Sequence, residues 1–168
     1  MNASAVPLLE DPALATAWAA AAAVVDPEIP ALTLEDLGIL RGVEWRDGRI
    51  VVSLTPTYSG CPATLAIKLA VEAALLDAGL STAHVETVLS PAWSTADISD
   101  AGRRKLREYG IAPPAAKAAG TLFGEEPVAC PRCGSTVTHR IAEFGSTACK
   151  ALWRCETCRE PFDYFKCY

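Results

Sequence analysis

A chain of 168 residues, 51% of them apolar, can bury one substantial core and carry a small second module beside it. Its net charge of -5 argues against a nucleic-acid partner, because phosphate-binding surfaces carry an excess of lysine and arginine. The apolar stretch Ala13 to Val25 falls short of the roughly 20 residues that a membrane span needs, and the first cationic residue, Arg41, comes too late for a secretory signal. A cytoplasmic chain with reduced thiols and no membrane partner is expected.

Asp11-Pro12 reads as an N-cap and first helical residue, opening an alanine-rich helix to about Val24 that Asp26-Pro27 stops. Two β-rich runs, Ile39 to Arg46 and Arg49 to Thr55, flank Asp47-Gly48, a dipeptide suited to the positive φ angles of a type I′ hairpin. After the loop Pro56 to Gly60, Pro62 suits a first helical position. Leu65, Leu69, Ala73 and Leu76 then recur at helical spacing as the expected buried face, until Gly79. Ala83 to Leu89 follows as a third strand, which a right-handed crossover lays parallel to an earlier one.

Ser99 or Asp100 caps a polar helix, Ala101 to Tyr109, whose Arg103, Arg104, Lys105 and Arg107 are read as a solvated face, with an acidic docking partner as the alternative. The stretch from Ala112 to Pro127 has the Ala, Pro and Gly content of a linker. The expected layout is an α+β domain over residues 1–111, a linker over 112–127 and a metal-bound β-ribbon over 128–168. The first domain is expected to hold a small mixed three-stranded sheet packed with helices. No internal repeat is visible.

The C-terminal module carries the most legible chemistry. Cys130-Pro-Arg-Cys133-Gly134 and Cys155-Glu-Thr-Cys158 are two C-x-x-C pairs, separated by a stretch long enough for a hairpin, and they are expected to hold one tetrahedral ion. Zinc is the expected metal, with iron as the alternative that four sulfurs also suit. Four thiolates leave no open coordination position, so the site is structural, replacing a core that so short a module cannot build. Cys149 and Cys167 are read as small buried hydrophobes and His139 as a surface residue, against a second soft-metal or redox site.

Cys61 directly precedes Pro62, at or near the expected helix start, where the helix dipole and free N–H groups lower a thiol pKa and favour a metal ligand or nucleophile. A partly buried cap residue without chemistry is the equal alternative. His84, on the third strand, is expected to be packed.

Asp26-Pro27-Glu28, Asp36-Leu37-Gly38-Ile39, the run Leu54 to Pro62 and Pro91-Ala92-Trp93 resemble the Fe-S assembly domain of scaffold and targeting factors, over about residues 12–110. The segments Gly145 to Cys155 and Glu160 to Cys167 resemble the accessory D subunits of bacterial phenylacetyl-CoA epoxidase systems. The resemblance implies a non-enzymatic assembly helper in phenylacetate catabolism, acting on the oxygenase or its Fe-S reductase. It carries Asp26, Glu28 and Cys61 as a functional cluster for a transient Fe-S cluster or iron, and leaves the ribbon cysteines structural. Two carboxylates and one thiolate are too few for a closed site, so a second protomer, as in a homodimer, or a client would complete it. The rivals are a stably bound oxygenase subunit and a thiol redox enzyme pairing Cys61 with Cys149 or Cys167.

Overall fold

The computed structural model describes residues 11–58, 60–114 and 128–166. It divides into two compact units, Met1–Trp93 and Ser94–Tyr168, and each is described by itself.

The first unit opens with α1 (Pro12–Ala22), whose N-cap Asp11 accepts hydrogen bonds from the Ala13 and Leu14 N–H groups as expected. The chain then turns back on itself. Asp26 Oδ1 accepts from the N–H groups of both Glu28 and Ile29 at 2.8 Å, and a Val25–Thr33 bridge closes the loop. The short helix α2 (Leu34–Leu37) follows, fixed by a capping box between Thr33 and Asp36 and ended by Gly38 in the left-handed region at φ 68°. Strands β1 (Leu40–Arg46) and β2 (Arg49–Leu54) form the expected hairpin, with Asp47 and Gly48 at φ 51° and 75°. After α3 (Thr64–Asp77), β3 (His84–Thr87) lies parallel to β2, giving a mixed sheet in the order β1-β2-β3.

The core of this unit lies where α1 packs on β1 and β2, α3 on β3, and the two helices on each other. Val52, Val71 and Val85 are fully buried, as are Leu32 and Leu34, and each such side chain contributes about 1.5–3 kcal/mol. Trp93 is pinned to the same core, its indole N–H donating to the Leu37 carbonyl at 2.7 Å.

Two expectations fail here. The buried stripe of α3 is Ile67, Val71 and Leu75, whereas Leu65, Leu69 and Leu76 are 66%, 55% and 60% exposed. Apolar residues recur on both sides of this helix, so periodicity alone did not fix which side faces the sheet. His84 is exposed on β3.

The second unit holds a 3₁₀ turn (Thr95–Asp97), α4 (Asp100–Glu108) capped by Ser99, and a four-stranded sheet in the order β4-β7-β6-β5. Its strands are β4 (Ile111–Ala112), β5 (Thr138–Ala142), β6 (Lys150–Cys155) and β7 (Pro161–Phe165). The antiparallel ribbon is as expected, but β4 pairs parallel with β7. Residues 94–112 therefore group with the ribbon rather than with the first domain or a linker, since Ile111 and Ala112 are buried in its sheet. The rest of the expected linker, 115–127, lies outside the described residues, as does Cys167. Arg103 is not part of a solvated face. It is 8% exposed, and its guanidinium donates to the carbonyls of Pro114 and Thr95, while Arg104 and Arg107 are exposed.

Candidate functional site

In the ribbon, Cys130 and Cys133 sit on a tight turn before β5, and Cys155 and Cys158 on a second turn between β6 and β7. The Gly134 N–H donates to the Cys130 carbonyl at 2.9 Å, and Gly134 takes φ 76°. The second turn puts Arg159 in the same place at φ 65°, although it lacks a glycine. A Cys155 N–H to Glu160 carbonyl bond at 3.0 Å closes that turn.

All four sulfurs lie within 4.8 Å of one another, with Cys130–Cys158 at 3.7 Å and Cys133–Cys155 at 3.6 Å. A tetrahedral ion with bonds of about 2.3 Å to sulfur separates its ligands by about 3.8 Å, so the cage already has the size of its occupant. The electrostatics agree. Backbone N–H groups of Cys158 and Thr157 draw the Cys155 thiol down to about 6, so one thiolate is ready at neutral pH. The Glu160 N–H draws Cys158 down too, but burial and the surrounding thiols push it up to about 12. Crowded sulfurs resist further ionisation until a cation replaces their protons, so metal binding and proton release are coupled.

Behind the sulfurs, Val128, Ala151, Trp153 and Phe162 form a small core with Cys130 and Cys155, and Trp153 packs against Tyr164 with ring centroids 5.8 Å apart. These aromatics complete the centre. Their alternation along β6 and β7 was the available sequence signal. Cys149 is buried, as expected, with its sulfur 3.1 Å from the Thr147 hydroxyl. His139 is a surface residue whose Nδ1 lies 2.9 Å from Glu156.

In the first unit, Cys61 does not occupy the expected cap. The N-cap of α3 is Ala63, and Cys61 lies two residues earlier, in a turn closed by its own N–H to the Tyr58 carbonyl at 3.2 Å. The Cys61 carbonyl accepts from the Thr64 hydroxyl at 2.9 Å. The thiol is pushed up rather than down, first by burial, then by the carboxylates of Glu28 and Asp26, while the Ala63 N–H and the Thr64 hydroxyl pull the other way. The helix start lies too far along the chain for its dipole to outweigh burial.

Asp26 and Glu28 thus lie near enough to act on Cys61 electrostatically. The three do not form a preassembled cage, because among the described residues only the four ribbon thiols bring three or more donor atoms within 4.8 Å of one another. Asp26 is 8% exposed and its Oδ1 holds the turn that carries Glu28. Thr55, in the motif run that leads to Cys61, keeps a buried hydroxyl without a partner among the described residues.

Among the described residues no helix is long and apolar enough to cross a membrane. Residues 14–89 match the family described as iron-sulfur cluster assembly protein, and residues 114–166 match the PaaD zinc beta ribbon domain. A crystal structure of a domain of unknown function, DUF59, from Bacillus anthracis shares 26% identity at a TM-score of 0.50, covering 55% of this chain and 89% of that one. A Mycobacterium tuberculosis protein described as associated with [Fe-S] complex assembly and repair shares 31% identity over 66% of this chain and 94% of its own, at a TM-score of 0.35. A protein of Escherichia coli (strain K12), described as a putative D subunit of 1,2-phenylacetyl-CoA epoxidase, is 50% identical over 150 residues, 89% of this chain and 90% of that protein. With an Fe-S assembly domain followed by a PaaD-type zinc ribbon, and half of the 150 aligned residues identical across nearly the full length of that relative, the chain belongs to the PaaD family, the D subunits of phenylacetyl-CoA epoxidases.

Proposed function

We propose that the chain is a non-enzymatic maturation factor that delivers iron, or an Fe-S cluster, to a component of the phenylacetyl-CoA epoxidase, either the oxygenase or its Fe-S reductase. The observation that carries this reading is a half-buried thiol beside two carboxylates in the assembly domain. Such surroundings disfavour a bare thiolate, yet the same negative charge favours a thiolate bearing a cation. An arriving iron ion displaces the thiol proton and relieves the repulsion, so Cys61 is loaded by its cargo rather than by pH.

Cys61 supplies the soft ligand, Glu28 an adjacent hard oxygen, and Asp26 the turn that presents Glu28. This set leaves the cargo's coordination incomplete, which lets a client's ligands capture it. The ribbon holds zinc as a structural ion in its four-thiolate cage and serves as the surface by which the client is recognised. A stably bound oxygenase component is the second reading, favoured by the relative's description as a subunit.

The two readings part on stoichiometry and on Cys61. A maturation factor is absent from, or dispensable to, the purified active epoxidase, and a strain carrying Cys61→Ser makes soluble, metal-loaded protein but grows poorly on phenylacetate. Full growth of that strain removes the transfer role and leaves the first domain a docking module.

A further inference from the structure

The outward face of α3 carries leucines where a helix on a sheet normally carries polar residues. Leu65, Leu69 and Leu76 run along one side of it, 66%, 55% and 60% exposed, and Ala66, Ala70 and Ala73 run along the other, all exposed. The charged pair beside the leucines is Lys68 and Glu72, whose Nζ and Oε1 lie 3.9 Å apart with side chains 34% and 41% exposed. Over 14 residues, about 21 Å of helix, nothing among the described residues covers this stripe.

We propose that the α3 face binds the same face of a second copy of this chain, with the two helices antiparallel about a two-fold axis near Ala70. Its charge pattern selects this occupant. Reversal about that axis brings Lys68 to the partner's Glu72 and Glu72 to the partner's Lys68, so both charges of a pair that is only loosely closed within one helix are matched across the interface. The same reversal sets Leu65 on the partner's Leu76 and places Leu69 beside its own copy, while Ala70 and Ala73 let the backbones approach. Antiparallel helix dipoles also oppose favourably, whereas a parallel pair would match neither Lys68 nor Glu72. The patch is small, so the dimer is reversible.

The arrangement bears on the maturation reading without depending on it. Cys61 precedes α3, so an antiparallel pair holds its two Cys61 residues at opposite ends of the helices, and the ligands missing from each come from the client rather than from the second copy.

The test uses sedimentation equilibrium of the full, metal-loaded chain. The wild type is expected to show a reversible monomer–dimer equilibrium with Kd on the order of 10 μM. Leu69→Asp abolishes it with unchanged circular dichroism and metal content. Lys68→Glu and Glu72→Lys, which leave two acids or two bases on the face, each weaken self-association about tenfold. An equimolar mixture of K68E and E72K restores a dimer at least as tight as the wild type, because each acid then meets a base. A wild type monomeric up to about 1 mM overturns the proposal. So does a dimer indifferent to Leu69→Asp, or a K68E and E72K mixture no tighter than its parts.

Discussion

Asp26 spends one carboxylate oxygen on two backbone N–H groups, including that of Glu28 itself, and so fixes the turn that carries the Glu28 carboxylate. Its charge then opposes ionisation of the thiol. The sign follows directly. Cys61 has its pKa raised above the ordinary thiol value of 9.0, so at neutral pH it is protonated and alkylates slowly, and the rate climbs only as pH rises through the raised value. Glu28→Gln removes one of the raising charges, so the pH–rate curve for labelling Cys61, followed by peptide mass spectrometry, is expected to move to lower pH. A curve that stays in place would mean that burial alone holds the proton. The motif residues were legible in sequence, but their division of labour was not. Asp26, Asp36, Gly38 and Trp93 turn out to hold turns and caps together, through hydrogen bonds that only the folded backbone defines. The direction of the Cys61 shift was misread for a related reason, since the helix begins two residues later than Pro62 suggested.

At the scale of elements, the Asp47-Gly48 hairpin, the parallel crossover to β3 and the paired C-x-x-C turns could be read from local residue chemistry and spacing. The face of α3 could not, because leucines and aliphatics alternate around it and only the sheet decides which are buried. The corrected face has a measurable consequence. Leu75→Ala, at 2% exposure, is expected to cost about 2–5 kcal/mol in denaturant unfolding. Leu76→Ala, at 60%, is expected to change stability by about 0.5 kcal/mol or less. Equal costs would contradict the packing. Strand β4 was also missed, two residues being too short for any period to show, and its pairing with β7 joins it to the sheet that carries the four thiols. If the four thiolates organise the sheet, then chelation, or Cys133→Ser, removes amide protection from β5, β6, β7 and from Ile111–Ala112 together, while β1–β3 keep theirs. Protection surviving at β6 after metal removal would show that Trp153, Phe162 and their neighbours suffice without the ion.

For the whole molecule, the two units are stabilised by different means. One stabilises itself around an aliphatic core and leaves a single thiol beside carboxylates, and the other builds its centre from four sulfurs. Family membership was legible because its motifs are contiguous runs. The placement of residues 94–112 with the ribbon was not, because it rests on pairing between segments distant in sequence. The role proposed for Cys61 is to hand metal to the epoxidase. Its most direct test is the iron content, per oxygenase and per reductase, of epoxidase components purified anaerobically from cells that supply either the wild-type chain or Cys61→Ser, with both versions confirmed soluble and equally metal-loaded in the ribbon. Metal transfer through Cys61 predicts client components depleted of iron or Fe-S cluster in the Cys61→Ser cells, with activity lowered in proportion and recovered when iron is reconstituted chemically. Client components equally loaded in both cells would contradict it.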